Sequence, residues 1–270
     1  MYSTQKIQIG IPCGPNSELF ANFLIRSIEK TISNEFDYSF IIGINKNGVN
    51  RAKIVENFDI KKFHFVEETS SEQSSLGHAH CLNLILKNMD SKWGFLIDSD
   101  VALLAKDWDK ILISQLNNKV IMIGSQYHHS DGKMINRPNV ITCAIDVEVF
   151  HQLKIDFTPS LKHIEANDYL SNIYGVRKGS KFFLDTGCEI IETIIKSGYG
   201  TEVMNIVSPR YSDTHQNLRL LKAGERGEEY HFNEMPISTH IGRSLTRNFN
   251  EDHVVVSWKN RVSEWLDGKI

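Results

Sequence analysis

Trp93-Gly94-Phe95-Leu96-Ile97-Asp98-Ser99-Asp100-Val101 is the stretch on which the fold turns. A short apolar run, 93–97, stops abruptly at two aspartates separated by one serine. In an extended chain residues i and i+2 point the same way, so Asp98 and Asp100 are expected to face one point. Two carboxylates that close repel each other unless a cation lies between them. Oxygen ligands suit Mg2+ or Mn2+, ions that also bind phosphates. The stretch therefore predicts a metal site able to take a diphosphate. An isolated Asp-x-Asp more often starts a turn. The apolar strand before this one, and the pattern around it, weigh against that plainer reading.

Outward from this point the first 130 residues alternate between two periodicities. Segments 6–12, 38–44, 63–67, 93–97 and 120–124 read as strands. Between them lie helical patterns. Leu19, Phe20, Phe23, Leu24 and Ile28 recur at helical spacing behind Asn16 or Ser17 as N-cap. A short helix fits 50–57. Ala79, Leu82, Leu86 and Met89 share one side of 77–89, and 108–116 reads as a further helix. Such alternation implies βαβ units and a mostly parallel sheet. Right-handed crossovers then give an α/β, doubly wound sandwich of Rossmann-like type, with ligands near the carboxyl ends of the strands. Asp98 closes the fourth of these strands.

The second half is more elaborate and less regular. Segment 140–145 is strand-like, 148–153 fits a short helix and 156–180 is rich in turn signals. Residues 186–197 read as a helix closed by Gly198, 203–207 as a strand, and 217–227 as a charged, mobile segment. Neither an internal repeat nor a Pro-, Gly- or Ser-rich linker interrupts the chain. One domain over residues 1–270 is the simplest division, with halves of about 1–130 and about 131–270.

Composition narrows the classes. The chain has 270 residues, 41% of them hydrophobic, which suits one well-filled α/β domain. Thirty Lys and Arg against 33 Asp and Glu give a net charge of −3 without a basic patch, so no nucleic-acid partner is expected. No stretch approaches the roughly 18 apolar residues that a membrane span requires. The polar start and the short apolar run behind it do not form a secretion signal. A cytoplasmic protein is expected, with peripheral membrane association left open. Cys13, Cys81, Cys143 and Cys188 are widely spaced and form no C-x-x-C pair, so buried thiols are expected rather than a zinc site.

The order of these features resembles the nucleotide-sugar-dependent glycosyltransferases of the GT-A fold, family 2 in particular. The resemblance covers about 6–241 and is strongest over 7–109. Ile9-Gly10-Ile11-Pro12, followed by Asn16 and Glu18, is similar to their opening strand and nucleotide-binding loop. Ser75-Leu76-Gly77-His78 before a helix, and then Asp98-Ser99-Asp100, is similar to their donor-binding stretch. The resemblance implies a nucleoside-diphosphate sugar donor, a glycan or small-molecule acceptor, and Mn2+ or Mg2+ as cofactor. It implies donor contacts at Pro12, Cys13, Gly77, His78, Asp98, Ser99 and Asp100, with Asp100 binding the metal and Asp98 near the ribose, the sugar or the metal. Asn45 and Lys46 follow the second strand, where the family reads base or ribose. Asp185-Thr186-Gly187 resembles the start of the acceptor-side helix, which implies Asp185 as catalytic base of an inverting transfer and Thr186 and Gly187 at the acceptor. Many inverting members have Glu-Asp there, whereas this chain has Leu184-Asp185. As a helix cap, Asp185 would serve the helix dipole instead. His240, in Ser238-Thr239-His240-Ile241-Gly242-Arg243, matches the late histidine that several GT-A enzymes use as a metal ligand; Arg243 then meets the diphosphate.

Other readings exist. Haloacid-dehalogenase-like phosphatases also carry Asp-x-Asp after an apolar strand and would make Asp98 a nucleophile. Their motif lies near the N-terminus and usually has Thr or Val where this chain has Ala102. A nucleotidyltransferase would have a basic, Gly-rich loop where Cys13-Gly14-Pro15-Asn16 stands. An inactive nucleotide-sugar-binding module has the same motifs. His128-His129 with Asp131 reads as a polar turn, and His80 as packing.

Overall fold

The structure is a computed structural model that describes residues 3–45, 49–68, 75–128, 134–159, 163–174, 178–179, 181–183, 186–187, 189–208, 218–222, 227–242 and 253–270. The chain runs β1 (Ser3–Cys13), α1 (Glu18–Thr31), β2 (Asp37–Asn45), α2 (Arg51–Ile54), a 3₁₀ turn (Ile60–Lys62), β3 (Phe63–Glu68), α3 (Ser75–Lys87), β4 (Ser91–Ile97) and β5 (Val101–Leu103). It continues with α4 (Trp108–Ile113), β6 (Val120–His128), β7 (Met134–Asp146), α5 (Val147–Gln152), β8 (His163–Glu165), α6 (Asp168–Tyr174) and β9 (Lys181–Phe183). It ends with α7 (Ile190–Lys196), β10 (Gly200–Val207), β11 (Glu228–Phe232), β12 (Met235–His240) and α8 (His253–Leu266).

Among the described residues ten strands form one sheet in the order β3-β2-β1-β4-β7-β6-β10-β11-β12-β5. The first four are parallel, as the alternating pattern of the N-terminal half predicts. β10 joins β6 in parallel as well. The second half makes the sheet mixed: β7 runs antiparallel to both β4 and β6, and β10, β11, β12 and β5 are antiparallel in turn.

Strand residues alternate between two cores. Ile7, Ile9, Ile11, Phe40, Ile42, Phe95 and Ile97 pack with α1 and α4. Ile41, Leu96, Met122 and Ile145 pack with α3, α5 and α7 on the other face. Both faces are covered, which makes these strands near-continuous apolar runs. On the second face two glycines let α3 come down onto the sheet. A Cβ at Gly10 would lie 2.3 Å from Ile85 Cγ2, and one at Gly43 would lie 2.3 Å from Cys81 Sγ. That close approach sets the first turn of α3 beside the carboxyl end of β4.

A third cluster joins α1, β5 and α8, with Phe20, Ala102, Trp258, Val262 and Trp265 at its centre. Leu220 and Leu221 belong to it and are 3% and 4% exposed. This corrects the expectation of a mobile 217–227: of its described residues, 218–222 and 227, Leu220, Leu221 and Gly227 are buried. Cys13, Cys81 and Cys143 are buried thiols, and no disulfide occurs among the described residues. Among those residues no helix is long and apolar enough to cross a membrane.

Candidate active site

The site begins where β4 runs out. Asp98 N–H donates to Ile141 O at 2.8 Å, the last rung toward β7. Residues 99 and 100 then turn, with Val101 N–H donating to Asp98 O at 3.2 Å. After the turn the chain enters β5, whose partner is β12, with His240 directly opposite Val101. Ile241 N–H donates to Asp100 O at 3.3 Å. The Asp-Ser-Asp turn thus hands the chain from the main sheet to its antiparallel extension, and the same handover brings His240 to the aspartates. Asp98 and Asp100 converge, as expected, but through this turn and not through a straight extended chain.

Asp98, Asp100 and His240 each offer a ligand atom, all within 4.8 Å of one another. His240 Nε2 lies 3.3 Å from Asp100 Oδ1. Asp100 is 8% exposed and His240 9%. From the other side, His78 in the first turn of α3 places Nε2 at 3.0 Å from Asp98 Oδ1.

The charge around His240 is strongly negative. Burial pushes its imidazole pKa down, but Asp100 and Glu228 outweigh that and hold it well above the ordinary histidine value. Burial, with Glu228, Asp98 and Asp100 close by, likewise pushes the Tyr230 phenol well up. An imidazolium is therefore the cation that this acid cluster attracts in the absence of any other. Two carboxylates and an imidazole are also a donor set that suits Mn2+ and, less well, Mg2+. The buried His240 Nδ1 makes no hydrogen bond among the described residues. A metal-ligating histidine needs a partner for that second nitrogen, and Glu228 Oε2 stands 3.6 Å from it. The residues fit a divalent cation.

Pro12 and Cys13 end β1, one strand away from Asp98. Cys13 is 1% exposed and burial pushes its thiol up, so its reach to a ligand is through backbone. Gly77 is buried in the first turn of α3, and Ser99 in the turn itself. Asn45 ends β2. Thr186 is 5% exposed and its hydroxyl donates to Ser75 O at 2.9 Å, which docks the Thr186-Gly187 turn on the start of α3. Gly187 has φ +75 and its N–H donates to Phe157 O at 3.1 Å. Lys46, Asp185, Arg243, His129 and Asp131 lie outside the described residues.

The sequence reading missed Glu228 and Tyr230, because it did not see the β11–β12 hairpin. A signal existed. Asn233 and Glu234, at φ 48 and φ 67, form a two-residue turn between Tyr230/Phe232 and Ile237, and Asn favours such turns.

No protein-family model matches the chain, and no curated protein sequence matches it. Several solved structures are similar. A mannosyltransferase from Pyrobaculum calidifontis, PcManGT in complex with GDP-Man and Mn2+, is 13% identical, with 57% of this chain and 47% of that one covered and a TM-score of 0.43. S. aureus TarS 1–349 in complex with UDP-GlcNAc is 13% identical over 56% of this chain and 48% of that one, TM-score 0.42. The galactosyltransferase LgtC, with donor and acceptor sugar analogues, is 12% identical over 73% of each chain, TM-score 0.47. The chain spans about half the length of the first two. Likenesses this distant leave the activity to be argued from the residues themselves.

Proposed function

We propose that residues 1–270 form a single GT-A-type glycosyltransferase domain that moves a sugar from a nucleoside-diphosphate donor to an acceptor hydroxyl. The observation that carries this reading is the convergence of Asp98, Asp100 and His240 within 4.8 Å at the carboxyl end of a parallel α/β strand. Open α/β sheets bind their ligands there. Residues of about 1–130 hold the donor and residues of about 131–270 shape the acceptor side.

Asp98, Asp100 and His240 hold a divalent cation, Mn2+ or Mg2+. When bound, such a cation neutralises the departing diphosphate and orients the donor. Ser99, Pro12, Cys13, Asn45, Lys46 and Gly77 line the donor, and Arg243 adds a charge-assisted contact to its phosphates. His78 steadies Asp98 through their 3.0 Å contact and faces the donor from α3. Asp185 takes the proton of the acceptor hydroxyl as that oxygen attacks the anomeric carbon opposite the leaving group, so the transfer inverts. A positioned carboxylate contributes a factor of roughly 10²–10⁴ in this role. The docking of Thr186, the next residue in sequence, on Ser75 O joins the 186–187 turn to the start of α3 and supports this reading.

The test is a thermal-shift screen of nucleotide sugars with and without Mn2+, followed by transfer assays. Stabilisation follows donor affinity by mass action, about 2.7 kcal/mol at a hundredfold excess over Kd. One nucleotide sugar should stabilise the chain only with the cation present, and Asp100→Ala should abolish both that stabilisation and transfer. If no nucleotide sugar stabilises the chain, or if Asp100→Ala transfers normally, the reading is wrong. Asp185→Asn should keep donor stabilisation and lose turnover by roughly 10²–10⁴-fold; unchanged turnover removes Asp185 as base.

A further inference from the structure

From the arrangement of β11 and β12 we infer that Glu228 is a positioning residue of the metal centre: it holds the outer nitrogen of His240 so that the inner one meets the cation. This rests on the metal reading above and extends it to a residue that no motif marks.

The strand register makes the pair. Glu228 lies directly opposite His240 across β11 and β12, and His240 lies directly opposite Val101 across β12 and β5. One row across three strands therefore carries Glu228, then His240, then the end of the Asp98–Asp100 turn. Directly opposed residues share a face, so the two side chains meet. The imidazole has one nitrogen on each side of that row. Nε2 faces Asp100 Oδ1 at 3.3 Å, and Nδ1 faces Glu228 Oε2 at 3.6 Å. Nε2, the nitrogen that faces Asp100, is the one placed to meet a cation shared with Asp98 and Asp100. Nδ1 must then carry the proton, and a buried N–H without an acceptor is costly. At 3.6 Å the contact with Glu228 is longer than a hydrogen bond. It is the acceptor to which that proton is aimed.

Glu228 is itself steadied. Tyr230, two residues on and on the same face of β11, donates its hydroxyl to Glu228 Oε2 at 2.7 Å. That is the oxygen that looks at His240. The Thr239 hydroxyl donates to Glu228 O at 3.0 Å and accepts from Trp258 Nε1 at 3.3 Å, which fixes the backbone beneath the pair. Tyrosine, glutamate and histidine thus form a line ending at the cation. Such outer partners fix a histidine's tautomer and ring orientation and raise its basicity, and losing them typically weakens metal binding 10–100-fold.

The experiment is a titration of the whole chain with Mn2+ alone, with free Mn2+ read by electron paramagnetic resonance. Glu228→Ala should weaken Mn2+ binding about 10–100-fold. Glu228→Gln, isosteric and able to accept but uncharged, should fall between Glu228→Ala and the native chain; it also serves if the alanine variant does not fold. In a His240→Ala background the same substitutions should change affinity by no more than about twofold, since a residue that acts through His240 has nothing left to act on. Native affinity in both Glu228 variants would overturn the inference. So would an undiminished loss in the His240→Ala background, which would make Glu228 a direct ligand or a purely structural residue. A native chain that binds no Mn2+ would instead remove the metal reading itself, a different and separable result.

Discussion

Glu228 and Glu229 are neighbours in the chain and face opposite sides of β11, as alternating strand residues must. Glu228 looks toward His240. Glu229, fully buried, accepts backbone N–H bonds from Arg219 at 2.8 Å, Leu220 at 2.7 Å and Leu221 at 2.8 Å, and its Oε2 lies 3.2 Å from His231 Nε2. One carboxylate thus gathers the 218–222 segment and carries Leu220 and Leu221 into the α1–α8 core. Hydrogen bonds to a charged group are worth about 1.5–3 kcal/mol each, and an abandoned buried donor costs about 1–3 kcal/mol. Glu229→Ala should therefore destabilise the chain by about 3 kcal/mol or more in urea unfolding, whereas Glu228→Gln should alter stability far less than it alters Mn2+ affinity. Equal stability losses at the two positions would contradict this division of labour. Cys13 and Cys143, buried with their thiols pushed up by desolvation, should resist iodoacetamide in the native chain at neutral pH and react once it is unfolded. Labelling in the native state would show that the sheet's carboxyl edge opens.

At the scale of elements, α3 connects the two sides of the site. Its first turn carries His78 to Asp98 and receives Thr186 on Ser75 O. Its third turn carries Asn83, whose amide donates to Asp156 Oδ1 at 2.6 Å and whose carbonyl oxygen accepts from Phe157 N–H at 2.9 Å. Phe157 O in turn receives Gly187 N–H. Asn83→Ala should loosen the 186–187 turn while leaving Mn2+ binding alone. Misplacing a reacting group by about 1 Å can cost up to about 10²-fold, so turnover should drop while donor stabilisation stays near native. A parallel loss of donor binding would show that Asn83 supports α3 as a whole. The elements that build this half of the site were legible before any coordinates. β1, β2, β3, β4 and α3 have apolar runs or helical periodicity that local sequence reports, and the stop at Asp98 is visible as a change from Ile to Asp. β5 was not legible, and β11 and β12 had little beyond the turn at Asn233 and Glu234 to mark them. β5 has three residues, too few for a period, and it is a strand only because β12 lies beside it. The Glu228–His240 pair is local to a hairpin, but His240 reaches the Asp98–Asp100 turn only through the pairing of β12 with β5, which sets it opposite Val101 from far along the chain. α8 stands beyond the segment that the resemblance covers, although Val254, Val255, Trp258, Val262 and Trp265 recur at helical spacing and announce it locally.

On the scale of the whole molecule, the two halves of the sequence are not two halves of the structure. β7, from the second half, lies between β4 and β6, both from the first. β5 has β12 as its partner, and the Asp98–Asp100–His240 cluster takes two residues from the first half and one from the second. A chain cut near residue 130 would leave β4 and β6 without the strand that joins them. It would leave β5 unpaired and the aspartates without His240. Exposed edges of this kind bind to whatever strand is near. Residues 1–130 alone should therefore give no cooperative thermal transition, should aggregate on concentration, and should bind Mn2+ far more weakly than the full chain. In the full chain a ligand that bridges residues 98, 100 and 240 ties both halves together, so it should raise the unfolding midpoint for reporters in each by the same amount. Trp93, on β4, and Trp258, on α8, sit in the two halves. Single-tryptophan variants retaining one or the other should unfold in urea at coincident midpoints, and Mn2+ should move both together. Midpoints that separate, or a cation that shifts only the first, would mean that the halves fold as independent units and that His240 is not a ligand.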